Sequence, residues 1–194
     1  MKILISIFIL FSLTTNDVVK KKYVPYGIII SKSDLIVDGI ISKVSDSHYE
    51  FTVNDFIKGN SNNKIKVQIW TQWTCDKRIK EIETDQRLIL FLSKTENDYF
   101  KIIHGSTGEL FVDKDNSVKT FMNSSFPNVS ITKDGIKKFS NSYEYLGSLY
   151  SRASKNNYFK KKSSISNSAK RIKKNKFYKT IIRDLKSGDY KLKN

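Results

Sequence analysis

Few residues in this chain are of a type that does chemistry, and their spacing is poor for it. The two histidines, His48 and His104, fall in segments that read as strands. Two are too few for a His-rich metal site, and each reads as a partly exposed strand residue, not a ligand or base. Asp34 and Asp38 lie four apart, which on a strand puts them on one face. Such a pair can face a cation, yet no third and fourth oxygen ligand is evident nearby, so they read as turn or solvent-facing carboxylates. Glu81, Glu83 and Asp85 stand beside Lys77, Arg78 and Lys80. Paired carboxylates for acid–base work need burial, and this stretch has no apolar context, so it reads as a solvated loop with local charge pairing. Ser106 and Thr107 between Gly105 and Gly108 resemble a phosphate loop, but lack its Lys and its following helix, and read as a strand-connecting turn. No H-E-x-x-H, G-x-S-x-G or P-loop pattern is present. The sequence therefore predicts no catalytic residue, no metal and no cofactor.

Two sets of residues remain as candidates for binding. Trp70, Trp73 and Arg78 surround the lone Cys75 in a polar stretch between strands. Tryptophan and arginine are enriched at protein interfaces, so these three are the predicted contact for another envelope or extracellular protein. The neighbouring tryptophans favour a buried, inert thiol at Cys75. A single cysteine also excludes an internal disulfide framework and any multi-Cys zinc site. The second set is basic: Lys160, Lys161, Lys162, Lys170, Arg171, Lys173, Lys174, Lys176 and Lys179, interleaved with Phe177 and Tyr178. Dense positive charge with aromatics fits an anionic membrane surface or a polyanion, or else a solvated, partly disordered tail. Nucleic acid is the less favoured partner, because the amino terminus points to export. The oligomeric state is left open.

The charge is unevenly spread. The 194 residues carry 35 Lys and Arg against 19 Asp and Glu, a formal net charge of +16. Residues 1–150 hold 20 basic and 17 acidic residues, whereas residues 151–194 hold 15 and 2. Hydrophobic residues at 39% and aromatics at 12% suffice for a core, which excludes full-length disorder. At the amino terminus, Lys2 precedes an apolar run from Ile3 to Leu13, followed by Thr14, Thr15 and Asn16. This is the pattern of a secretory signal peptide over residues 1–16, and the run is too short to cross a bilayer. The expected location is secreted or periplasmic.

The elements that must position these residues are mostly strands. Residues 34–44 are rich in branched apolar side chains, with a bulge or bend expected at Gly39. Tyr49, Phe51 and Val53 alternate with polar residues, as do Ile65, Val67 and Ile69. Arg87 to Leu92 is apolar on both faces, as for a central strand. Residues 99–104 form another strand, and residues 109–112 and 117–121 form a hairpin around an Asp-Lys-Asp-Asn turn. After Pro127 the period changes. Thr132 is the expected cap of a helix carrying the stripe Ile136, Phe139, Tyr143, Leu146 and Leu149. Residues 151–168 read as a linker, and residues 169–186 as a basic amphipathic helix with Phe177, Ile181 and Leu185 on one face. The fold class is thus mainly β: a small OB-like barrel over residues 17–126, a helix over 127–150 packed on it, and a basic, partly helical or disordered tail over 151–194.

One pattern resembles a known family. Asp34 to Gly39 is an acidic-apolar strand ending in glycine. A second strand leads into Lys58-Gly59, Cys75 follows, and then a strand of Leu and Phe, Leu88 to Leu92. This resembles the barrel of the tissue inhibitors of metalloproteinases and of netrin-type modules, over about 60 residues. The resemblance implies export and an OB-like barrel. The inhibitors act through a cysteine at the mature amino terminus; here no cysteine precedes Cys75, so that mechanism does not carry over. The expected function is an exported non-catalytic binding module. A polyanion or membrane-surface binder and a protease-inhibitor-like protein are the alternatives.

Overall fold

The computed structural model describes residues 21–121, 126–162 and 174–193. The expected signal peptide and Lys170, Arg171 and Lys173 lie outside the described residues. Five strands close a barrel: β1 (Leu35–Val44), β2 (His48–Lys58), β3 (Lys64–Gln68), β4 (Arg87–Lys94) and β5 (Tyr99–Ile102). The order is β1-β2-β3-β5-β4, and β4 returns to pair antiparallel with β1. The β3–β5 pair is parallel and the other pairs of the ring are antiparallel. This is the closed OB-like barrel expected from the strand pattern. The hairpin of β6 (Glu109–Val112) and β7 (Val118–Lys119) continues from the edge of β4 that β5 leaves free. The expected irregularity at Gly39 is present as a register shift between Asp38 and Gly39. A Cβ there would lie 2.2 Å from the Thr52 carbonyl oxygen of β2, so only glycine lets the two strands cross so closely.

Leu35, Val37, Ile41, Tyr49, Phe51, Val67, Leu88, Leu90 and Leu92 fill the barrel. The alternate residues of β4, Ile89 and Phe91, point outward into a second core. That core is covered by α1 (Tyr26–Lys32), α2 (Val129–Ser142) and α3 (Lys176–Ser187), with a small sheet of β8 (Tyr143–Leu146), β9 (Tyr158–Lys161) and β10 (Leu192–Lys193). Both faces of β4 are apolar because each meets a core. The Lys58 ammonium donates to the carbonyls of Ile30, Ser31 and Ser33, satisfying the orphan acceptors at the end of α1. The Lys58-Gly59 turn therefore ties α1 to the barrel. Burial, reinforced by Lys162, lowers the Lys58 pKa to about 8.

Several expectations change here. Asn128, not Thr132, caps α2: its side chain accepts from the Ile131 N–H at 3.0 Å, while the Thr132 hydroxyl donates to Pro127. The helix also ends at Ser142. Ser140 and Ser142 turn their hydroxyls back onto the carbonyls of Lys137 and Lys138, which weakens the last turn. Tyr143 and Leu146 therefore belong to a strand and Leu149 to the turn beyond it. The expected linker contains β9, because Phe159 is fully buried, 4.8 Å from the Tyr145 ring and 5.8 Å from that of Phe139. The helix expected in the basic segment is present as α3 and is packed down. Phe177, Tyr178, Ile181 and Leu185 of α3 are buried in the outer core.

Candidate functional site

Four remote segments meet beside one end of the barrel. They are the stretch from Lys21 to Val24, the loop of residues 69–86, a short 3-10 turn at Gly105–Thr107, and Tyr150. Between them runs a groove of about 370 Å3, lined by Trp70, Trp73, His104, Tyr150 and Lys22. A smaller pocket of about 170 Å3 shares Lys21, Lys22 and His104 and reaches Thr120 and Asp184.

Two buried ionic clusters hold the groove in shape. In the first, Lys21 donates to Asp76 at 2.8 Å and to the Ser106 hydroxyl at 3.0 Å. Asp76 also accepts the Ser106 backbone N–H at 3.0 Å. The turn between the two glycines thus takes a carboxylate of its own chain where a phosphate loop would take an anion. Gly105, at φ +56°, is required, because a Cβ would lie 2.2 Å from Asp76 Oδ2. Burial lowers the Lys21 pKa against the opposing pull of Asp76. In the second cluster, Trp70 Nε1 donates to Glu109 at 2.9 Å and the Arg78 guanidinium covers the Trp70 ring at 4.1 Å. Arg78 Nε lies 3.1 Å from Glu109 and Nη2 donates to the Trp70 carbonyl at 2.8 Å. Burial raises the Glu109 pKa, opposed by Arg78 and Trp70.

These contacts divide the three predicted interface residues. Arg78 is corrected: its side chain is only 4% exposed and is committed to Glu109 and Trp70, so it braces the loop and presents no surface. Trp70 is half-buried and its N–H is already used. Trp73 is 38% exposed and stands at the rim. Its backbone pairs with Asp76 in both directions, which fixes the tip carrying Thr74 and a half-buried Cys75 where burial was expected. The acidic loop pairs less than expected, since Arg78 turns to Glu109 and Glu81 is met by Gln72.

Sequence reasoning missed Tyr150, Tyr23 and Lys22. Tyr150 is 54% exposed and Tyr23 67%. Lys22 lies 5.7 Å above the Tyr150 ring, and the His104 ring is centred 5.9 Å from it. No local signal in the sequence joins residues 22, 73 and 150. His104 is corrected from strand to turn, with a left-handed backbone and Nδ1 3.1 Å from the Thr107 hydroxyl. Burial and the nearby Lys21 lower its pKa, so the ring is neutral over a wider range than an exposed histidine.

Asp38 is corrected from solvent-facing to buried. Arg87 grips it bidentately at 2.9 and 2.8 Å, and Lys133 of α2 adds a bond at 2.9 Å. Burial alone would raise its pKa, yet the bonds from Arg87 and Lys133 hold it below the usual carboxylate range. Asp34 instead accepts from the Lys94 N–H. The two aspartates therefore share no cation, and no group of three potential metal ligands exists among the described residues.

Of the basic residues, Lys160, Lys161, Lys162, Lys174, Lys176 and Lys179 are exposed. Lys162 donates to the Ser140 carbonyl at 2.8 Å and serves the fold. Among the described residues no helix is long and apolar enough to cross a membrane. No protein-family model matches this sequence, and no match to a curated protein was found. The fold is that of a closed five-stranded β-barrel with a helical outer layer.

Proposed function

We propose that the protein is an exported, non-catalytic binding module that meets another envelope or extracellular protein through the aromatic groove. One observation carries this reading. Trp73 and Tyr150 hold apolar rings at the surface, above two buried ion-paired clusters that fix the loops beneath them. Exposed aromatics on a preorganised base bind with little loss of side-chain entropy. The charged groups under the rim are paired with each other, Lys21 with Asp76 and Arg78 with Glu109, which suits an anchoring surface better than a reaction centre. The netrin-type resemblance is consistent with this reading through Lys58-Gly59, whose lysine secures α1.

Export is tested by expressing the full chain in a secreting host and weighing the released protein. Release without residues 1–16 is expected; a product that stays cell-associated with residues 1–16 intact would overturn it. The groove is tested by affinity capture from envelope and secreted fractions, with the Trp73→Ala/Tyr150→Ala variant in parallel. A partner retained by the native protein, lost with the variant and recovered in the reciprocal experiment is expected. Equal retention by both proteins would sink the groove as the contact surface.

A further inference from the structure

The apolar face of α3 is occupied by the outer core, and the opposite face is a row of cations. Lys176, Lys179, Arg183 and Lys186 follow at spacings of three, four and three, which places them in one stripe. At about 1.5 Å rise per residue the stripe is about 15 Å long. All four residues are exposed, and none forms an ion pair among the described residues. The only carboxylate on the helix, Asp184, lies off the stripe and accepts from the Tyr23 hydroxyl. At its amino end the stripe opens on a depression of about 320 Å3 where Lys174 and Lys176 stand beside Lys138, which is paired with Asp134. Residues 127–194 hold 18 basic and 4 acidic residues, so they carry +14 of the chain's +16.

We propose that this stripe is a docking track for a linear polyphosphate, held through its phosphates alone. A bilayer surface offers the same phosphate chemistry, but a helix that lies on a membrane inserts its apolar face, and here that face is buried. A nucleic-acid reader adds exposed aromatics on which bases stack; Phe177 and Tyr178 are buried. What remains is a narrow line of charge that suits a linear polymer. The track is independent of the aromatic groove, so either can fail alone.

The test uses the full chain with long-chain inorganic polyphosphate as the probe. Affinity is measured at about 50 and 200 mM salt, and four phosphate contacts predict a loss of roughly 50-fold between them. A Lys176→Gln/Lys179→Gln/Arg183→Gln/Lys186→Gln variant is expected to bind at least about tenfold more weakly, with a shallower salt slope. A charge-matched control, Lys43→Gln/Lys64→Gln/Lys66→Gln/Lys101→Gln on the barrel strands, is expected to keep nearly all its affinity. The single variants Lys179→Gln and Arg183→Gln repeat the comparison should the fourfold variant lose its fold. Equal losses in the two charge-matched variants would mean that net charge alone binds. Tighter binding to phosphatidylglycerol vesicles than to polyphosphate would assign the stripe to lipid. Either result, or no polyphosphate binding at all, overturns the proposal.

Discussion

The two cores of this protein are built from different parts of the chain by different rules. The barrel interior draws on neighbouring strands, and its residues alternate in sequence. The outer core joins Val24, Tyr26 and Ile28 near one end of the chain to Phe159, Phe177, Ile181 and Leu185 near the other. Strand β4 belongs to both, with Leu88, Leu90 and Leu92 facing inward and Ile89 and Phe91 outward. The lesson is that a barrel strand apolar on both faces signals a second layer. The covering elements of that layer can come from segments that look like linkers and tails.

If the outer layer is integral, removing it must unfold the barrel. Truncation after Tyr150 deletes Phe159, Phe177, Tyr178, Ile181 and Leu185 from the core. At about 2–5 kcal/mol for each of these five side chains, the loss is about 10–25 kcal/mol, enough to match or exceed a typical stability of roughly 5–15 kcal/mol. The truncated chain is expected to show no cooperative thermal transition by circular dichroism. A melting curve close to that of the intact protein would show that the barrel stands alone.

The buried contact between the layers ranks next. Asp38→Asn leaves Arg87 and Lys133 without their carboxylate, and a loss of roughly 3–5 kcal/mol is expected in denaturant titrations. The pKa of Asp38 is depressed in the folded state, so its contribution is complete above the usual carboxylate pKa near ~4. That contribution disappears as pH falls through the lower folded value. The native protein should therefore lose stability below pH ~4 more steeply than Asp38→Asn; parallel acid curves would refute the assignment.

Single truncations sharpen the comparison of cores. Leu90→Ala in the barrel and Leu185→Ala in the outer layer should each cost about 2–5 kcal/mol. One shared transition, lowered by either change, is expected if the layers fold as a unit. Two separable transitions would make them independent. A smaller effect is expected at the groove, where Gly105→Ala forces a methyl group against Asp76 at a left-handed backbone position. The cost is about 1–3 kcal/mol, measured by thermal shift.

The smallest effect concerns Lys58. Its folded pKa of about 8 lies below that of a free lysine, near ~10.4. Between those values the unfolded chain binds more protons, so stability should rise with pH across that window. Lys58→Met should remove that part of the slope. Equal slopes in the two proteins would place Lys58 outside the linkage.

Much of the barrel was legible in the sequence, because strands leave a period of two. Residues 34–44, 48–57 and 87–92 anticipated β1, β2 and β4 to within a few residues. Helix α1 was not legible. Its Tyr-Gly-Ile-Ile-Ile-Ser-Lys sequence has glycine and β-branched residues that disfavour a helix, and tertiary burial of Ile28, Ile29 and Ile30 overrides that preference. The groove was legible only at Trp70 and Trp73. Arg78 looked like a surface cation because its partner, Glu109, arrives from another strand. Tyr150 looked like the end of a helix that in fact stops at Ser142.

The placement of α1 against α3 has a consequence in time. Leu185 packs on Gly27, so α1 waits for a segment far along the chain. Tyr26 of α1 can already cover Phe91, but until that segment arrives the apolar side of α1 that meets α3 stays open. Closure joins residues far apart in the chain, which slows folding. The outer layer thus closes in a late step, and a holding chaperone that shields the open side of α1 until Leu185 emerges is expected to raise the yield of folded protein.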